Sequence, residues 1–199
     1  TVVVPIGNAG NITAVMDGFI DLHELGIIEE LPVILGVQSE HADPVSRWRA
    51  TGTFVPMKVR PSVAQAAMIG DPVSFPKVSQ NVQKHFSDRF FVITVTENEI
   101  MEGMLTANRH GHVVCTQGGE SVAGLKKALA RGLIPTSRNY VVDSTSHHLK
   151  FASFQEKYFE DSFDPEYGIT TRDELKNAPV TLEGRASAIA TFLGLRRKA

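Results

Sequence analysis

The chain opens on Val2-Val3-Val4-Pro5-Ile6-Gly7-Asn8-Ala9-Gly10-Asn11-Ile12-Thr13-Ala14, and no other stretch limits its fold as tightly. Thr1 to Val4 is β-branched throughout and predicts a buried strand. Pro5 and a Gly/Asn loop end that strand. Val15, Phe19, Leu22 and Leu25 then recur at helical spacing from Ile12 to Leu25, with Gly26 as the stop. Leu31-Pro32-Val33-Ile34-Leu35-Gly36-Val37 predicts the next strand. Strand, helix and strand in that order require a parallel pair with a right-handed crossover, and therefore an α/β domain. Ligands in such sheets collect beyond the carboxyl ends of the strands, where both the loop and Gln38 to Ala42 fall.

A strand, a glycine loop and a helix start bring backbone N–H groups and the positive end of a helix to one point, which suits an anion. Gly7 and Gly10 admit a phosphate close to the backbone or supply a positive φ. Asn8 and Asn11 add amide donors. The loop is neither a G-x-G-x-x-G fingerprint nor a Walker loop, because no Lys-Ser/Thr follows the second glycine. Its form leaves two readings open: a phosphate cradle, or ordinary turn chemistry between a strand and a helix.

Further along, Asp43-Pro44 opens an irregular stretch to Arg60, with Trp48 and Phe54 as anchors; it lines a site or is plain surface loop. Ser62 caps a short helix from Val63 to Ile69, and a longer helix is predicted from Pro76 to Phe86. Arg89 to Val95 reads as a strand. Thr96-Glu97-Asn98-Glu99 is a capping box that opens a helix to Arg109. His112 to Cys115 is a short strand, Thr116-Gln117-Gly118-Gly119-Glu120 a sharp turn into a helix ending near Gly132, and Asn139 to Asp143 the last strand. Beyond it lies an aromatic cluster of Phe151, Phe154, Tyr158, Phe159 and Phe163. Thr171-Arg172-Asp173-Glu174 is a second capping-box candidate, and Glu183 to Leu195 a closing helix. The chain thus divides into an α/β domain over 1–150 and an aromatic, acidic extension over 151–199 that packs on it.

With 199 residues, 42% of them hydrophobic, the chain can bury one sizeable core. Its 20 Lys and Arg against 22 Asp and Glu are scattered, which gives no basic face for nucleic acid. No apolar run approaches the length of a membrane span. Cys115 is the only cysteine, which excludes an intrachain disulfide and points to a reducing, cytoplasmic compartment. In a buried strand it is expected to be inert. Adjacent His147 and His148 point in different directions with no third ligand at a recognisable spacing, so no metal site is expected. Lys126-Lys127 and Arg196-Arg197-Lys198 read as solvated faces.

The run Pro5 to Ala14 closely resembles the cofactor phosphate cradle of threonine synthases, pyridoxal-phosphate enzymes of fold type II. Further stretches match that family in order: Val37-Gln38 with Ala42-Asp43-Pro44, Pro61 to Pro72 ending Ile-Gly-Asp-Pro, Val95-Thr96-Glu97-Asn98-Glu99-Ile100, then Ser121-Val122-Ala123-Gly124-Leu125 and Thr145 to Lys150. They span Val2 to Phe151. The resemblance implies a three-layer α/β sandwich with a mostly parallel sheet, the larger domain of the tryptophan-synthase-β-like fold, incomplete at its N-terminal side. It implies pyridoxal 5′-phosphate as cofactor, with Gly7, Asn8, Ala9, Gly10 and Asn11 around the phosphate and Thr145 at the pyridine nitrogen. A neutral hydroxyl can donate to an unprotonated ring nitrogen, which moderates the electron sink; the alternative for Thr145 is a plain turn or cap. His147 matches a family histidine that serves packing or catalysis. The implied reaction converts O-phosphohomoserine and water to threonine and phosphate.

Two departures accompany the resemblance. The family's Glu-Pro-x-Ser-Ala is replaced by Thr116 to Glu120, where Gly118-Gly119 still allow close approach to a ring. The family's Schiff-base lysine, in a Phe-Lys-Asp-like motif, and its ring-stacking asparagine lie upstream of the cradle, and neither motif occurs here. The chain is therefore expected to be the C-terminal portion of a longer enzyme, with no catalytic residue of its own. Its expected partners are O-phosphohomoserine, an N-terminal part of the same enzyme and, as an option, a second copy, with no nucleic acid or membrane. Two alternatives stay open: another fold-type-II enzyme, such as a dehydratase or sulfhydrylase, and a non-catalytic phosphate-binding remnant.

Overall fold

The computed structural model describes residues 1–134, 139–177 and 179–195; the basic run at 196–198 lies outside them. Among the described residues the sheet has four strands, β1 (Val2–Pro5), β2 (Ile34–Ser39), β3 (Phe90–Val95) and β4 (Val141–Val142), in the order β3-β2-β1-β4. Every neighbouring pair is parallel, with Val3 opposite Leu35 on one side and Val142 on the other. Helices α1 (Gly10–Glu24), α2 (Pro44–Thr51) and α3 (Phe75–Lys84) supply the apolar residues of one face, where Ile12, Met16, Val45, Phe75 and Val78 meet Val4, Ile34 and Phe90. Helices α4 (Glu97–Arg109) and α5 (Thr116–Ala130) cover the other, where Ile100, Met104 and Ala123 meet Val3, Leu35, Val37 and Ile93. Each residue of β2 is buried, as expected of a parallel strand packed on both faces. The result is a three-layer α/β sandwich. Among the described residues no helix is long and apolar enough to cross a membrane.

Several local expectations need correction. The stretch after Asp43 is irregular only in its second half, residues 53–60: Pro44 takes the first position of α2, where its missing N–H costs nothing, and Gly52 closes the helix at φ +75°. The punctuation that suggested a loop is the start and stop of a helix. The helix expected over Val63–Ile69 is one 3-10 turn, Gln65–Ala67, although the Ser62 hydroxyl does accept the Ala64 N–H at 3.0 Å. His112 to Cys115 makes no strand; Val114 has only an isolated antiparallel bridge to His147. Cys115 instead caps α5, so the turn expected at Thr116–Glu120 is that helix's first turn. The Thr96–Glu99 capping box closes in both directions, at 3.1 and 2.8 Å.

In the last fifty residues, α6 (Ala152–Phe159) buries Phe154 and Tyr158 against the α4–α5 side of the core. Phe163 and Tyr167 pack on Phe154, with ring centroids 6.3 and 6.2 Å away. The second capping box does not form. Arg172 occupies the cap position of a 3-10 turn, Asp173–Leu175, and the Thr171 hydroxyl goes to Asp161. The closing helix α7 is shorter than expected, Ala186–Phe192, and has no buried side chain.

Helices α4 and α5 approach through glycine. A Cβ on Gly119 would lie 2.5 Å from the Ile100 carbonyl oxygen and 2.8 Å from the Met104 nitrogen. Gly18 on α1 has nothing within 4 Å of the same position. Gly119→Ala should therefore destabilise by roughly 1–3 kcal/mol through overpacking. Gly18→Ala should stabilise by about 0.5–1 kcal/mol through helix propensity. Urea denaturation of the two variants checks the opposite signs.

Candidate active site

The loop between β1 and α1 lies at the carboxyl edge of the sheet. Pairing with β2 continues one residue past β1, the Ile6 N–H donating to the Val37 carbonyl at 2.8 Å. Gln38, fully buried, then clamps the strand ends: its amide nitrogen donates to Ile6 O at 3.2 Å, and its oxygen accepts the Val45 and Ser46 N–H groups at 3.0 Å each. Ala9 turns left-handed, at φ +63°, and enters α1 with no side-chain cap. Among the described residues none accepts a hydrogen bond from the backbone N–H groups of Gly7 through Ile12. Asn8 is held from behind, its side-chain oxygen accepting the Val73 N–H at 2.8 Å and its carbonyl the Ser74 N–H at 3.2 Å.

The loop borders a cavity of about 490 Å³, lined by Gly7 to Asn11, Ala66, Ala67, Gln117, Asp143 and Thr145. All six residues singled out by sequence thus meet at one cavity. Gly7 admits no side chain, since a Cβ would sit 2.8 Å from Ala67 Cα and 2.9 Å from Ala66 O, whereas at Gly10 the nearest atom, Ser74 Oγ, is 3.8 Å away. The turn carrying Ala66 and Ala67 is itself anchored. Gln117, with its amide oxygen facing that turn, accepts the Gln65 and Ala66 N–H groups at 3.2 and 3.0 Å, and Glu97 Oε2 accepts the Val63 N–H at 2.6 Å.

Also lining the cavity, Thr145 takes φ +41°, a conformation unusual for a β-branched residue. Its N–H donates to Asp143 Oδ1 at 2.9 Å, and its hydroxyl lies 3.5 Å from Cys115 Sγ. The other Asp143 oxygen accepts from the Asn11 side chain. Asp143, Gln117 and the Ala66–Ala67 turn were missed in the sequence. An Asp at a strand end two residues before Thr145 is an Asx-turn signal that marks the first; the other two needed the tertiary fold. Gly118 and Gly119 do not serve the cavity, because they accommodate Val114 and α4. His147 caps a short turn, accepting the Leu149 N–H at 3.2 Å, and does not line the cavity.

Residues 1–145 match the family model described as pyridoxal-phosphate dependent enzyme. The chain belongs to that family. It is 39% identical over 153 residues to the threonine synthase of Methanocaldococcus jannaschii, covering 75% of this chain and 37% of that protein. Against the chloroplastic threonine synthase 2 of Arabidopsis thaliana it is 30% identical over 195 residues, 96% of this chain and 36% of that protein. The crystal structure of yeast threonine synthase superposes with a TM-score of 0.63 at 19% identity, covering 87% of this chain and 41% of that one, which shows the shared fold. The chain therefore spans little more than a third of the length of these curated relatives.

The cavity fits the cofactor for which this pyridoxal-phosphate dependent family is named. Open amides and a helix start suit a phosphate, and a hydroxyl-bearing residue, Thr145, lines the same space. Among the described residues no lysine lines it. Cys115 caps α5 and does not sit in the strand expected: burial pushes its thiol pKa up, but hydrogen bonds from Ser146, Thr145 and the Gly118 N–H bring it below the ordinary thiol value. Burial and the neighbouring His147 lower that of His148.

Behind the cavity wall lies a buried acidic pair. Glu97 is satisfied by the Ser39 hydroxyl and the Val63 N–H. Glu120 is fully buried, and neither of its carboxyl oxygens has a hydrogen-bond partner. Burial and then the Glu97 charge push its pKa well above the usual glutamate value, outweighing the opposing pull of the Ser39 backbone. Burial thus favours the neutral form of Glu120. A raised folded-state pKa contributes stability that is complete below the unfolded value and is lost as pH rises to the folded one. Glu120→Gln should remove that slope, matching the parent near pH 4 and exceeding it at pH 8. Thermal melts across this range check it, and a gap that does not grow with pH would contradict a neutral Glu120.

Proposed function

We propose that this chain is the cofactor-holding part of a threonine synthase, which converts O-phosphohomoserine and water to threonine and phosphate. The observation that carries the reading is that the loop Gly7 to Asn11, whose backbone N–H groups have no acceptor among the described residues, lines one cavity together with Thr145. The 39% identity to a curated threonine synthase supports this reaction over a dehydratase or sulfhydrylase.

In this reading the N–H groups of Gly7 to Ile12 bind the phosphate dianion of pyridoxal 5′-phosphate, and the positive end of α1 adds to its hold. Gly7, Asn8, Ala9, Gly10 and Asn11 form the cradle. Bound there, the cofactor supplies the electron sink for carbanion chemistry. Thr145 donates its hydroxyl hydrogen to the ring nitrogen, which orients the ring without charging it. The Ala66–Ala67 turn, kept in place by Gln117 and Glu97, closes one side with methyl groups and excludes water there. The lysine that moves protons comes from sequence outside this chain, in an N-terminal part of the same enzyme. Residues 1–150 form the C-terminal part of the cofactor-binding domain, and 151–199 an extension on it. A cytoplasmic address belongs to the same proposal.

The test uses the protein as its gene encodes it, loaded with pyridoxal phosphate and given O-phosphohomoserine, threonine or serine in turn. Threonine and phosphate should appear from the first. Deamination of threonine or serine with no turnover of O-phosphohomoserine would replace this reading by a dehydratase. Gly7→Ala should weaken pyridoxal phosphate binding about tenfold or more, roughly 1.4 kcal/mol, because its Cβ has no room beside Ala66 and Ala67. Titration of the cofactor's absorbance measures this.

A further inference from the structure

Asp143 lies on the cavity wall with both carboxyl oxygens engaged, one by the Thr145 N–H at 2.9 Å and the other by the Asn11 side chain. Its own N–H donates to the Val3 carbonyl at 2.9 Å, which anchors it to β1. The strand that delivers it, β4, is two residues long, and Val141 is 62% exposed. So short a ladder constrains the following residues weakly. Thr145 nonetheless holds φ +41°, a conformation that persists only when its surroundings impose it.

We propose that Asp143 is a positioning residue that ties the phosphate end of the cavity to its ring end, holding Asn11 and Thr145 in one frame. The ligand in this statement rests on the cofactor reading above; the tie between Asn11 and Thr145 does not. The sign of its effect separates positioning from charge. A carboxylate beside an anion site repels the anion, so if charge were its whole effect, removing it would strengthen phosphate binding. A positioning role demands the reverse.

The experiment uses the protein as its gene encodes it, with Asp143→Ala, Asp143→Asn and Asp143→Ser variants. The probes are pyridoxamine 5′-phosphate, which needs no lysine for binding, and inorganic phosphate, both by calorimetry. Asp143→Ala should weaken pyridoxamine 5′-phosphate by about tenfold or more and inorganic phosphate by a smaller factor. Asp143→Asn should recover most of this, because its oxygen still accepts the Thr145 N–H and Asn11 can turn its amide to meet the new NH2. Backbone order parameters of the ligand-free protein give a second readout. Asp143→Ala should loosen residues 7–12 and 144–147 together. Asp143→Ser, which keeps an acceptor near Thr145 but is too short for Asn11, should loosen only the first segment; it also serves if the alanine variant fails to fold. Tighter or unchanged phosphate binding in Asp143→Ala, an asparagine variant as weak as the alanine one, or a Ser variant that leaves residues 7–12 as ordered as the parent would overturn the proposal. Failure of the parent to bind pyridoxamine 5′-phosphate while the order parameters follow this pattern would sink the cofactor reading and leave the tie standing.

Discussion

A helix that begins without a cap governs this structure. The start of α1 carries backbone donors that its own sequence leaves open, since Ala9 offers no side-chain acceptor and turns left-handed. Three other α-helix starts among the described residues have a side chain that accepts their first N–H groups: Thr96 caps α4 with its hydroxyl, Cys115 caps α5 with its sulfur, and Gln38 takes the Val45 and Ser46 N–H groups of α2. At α1 the loop that carries the donors borders a cavity, and what is set around it holds it there. Gln38 joins the ends of β1 and α2, Asn8 is fixed from behind by the Val73–Ser74 turn, and Gly7 lies flush against Ala67.

The far wall depends on α5. This helix reaches the sheet because Gly124 fits against Val37 and Gly119 fits against α4. Its first turn then delivers Gln117 to the Ala66–Ala67 turn and Cys115 to Thr145. The cost of this close packing is Glu120, a carboxyl group carried into the core beside Glu97 without a partner. An unpaired buried carboxyl is tolerated by staying protonated. Stability and site geometry are thus linked through one helix.

Much of this was legible in the sequence because it rests on short-range rules. The β-branched run before Gly7, the period of Val15, Phe19 and Leu22 and the Thr96–Glu99 box each point to their own element, and the crossover rule then gives parallel strands. The six residues read as a cofactor site meet at one cavity because five of them form a single loop and Thr145 follows a strand parallel to β1. What was not legible depended on distance or on ambiguous punctuation. Pro44 and Gly52 terminate a helix as readily as they mark a loop. Asp143 gains its meaning only when β4 pairs with β1, and Gln117 only when α5 is laid across the sheet. At Thr171 the local capping pattern lost to Asp161, which competes for the same hydroxyl.

The shortness of β4 has a thermodynamic consequence. Elements with few ladder bonds and exposed side chains open at a smaller free energy than the core around them. The residues opposite the loop, Asp143 and Thr145, follow such an element, whereas the loop itself follows a strand paired on both sides. A ligand that touches both must spend part of its binding energy on ordering the weaker wall. Its apparent dissociation constant is then its intrinsic one divided by the fraction of molecules in which that wall is formed. The two sides of the cavity would part company on heating: the loop side persists with the core, and the side carrying Asp143 and Thr145 fades first.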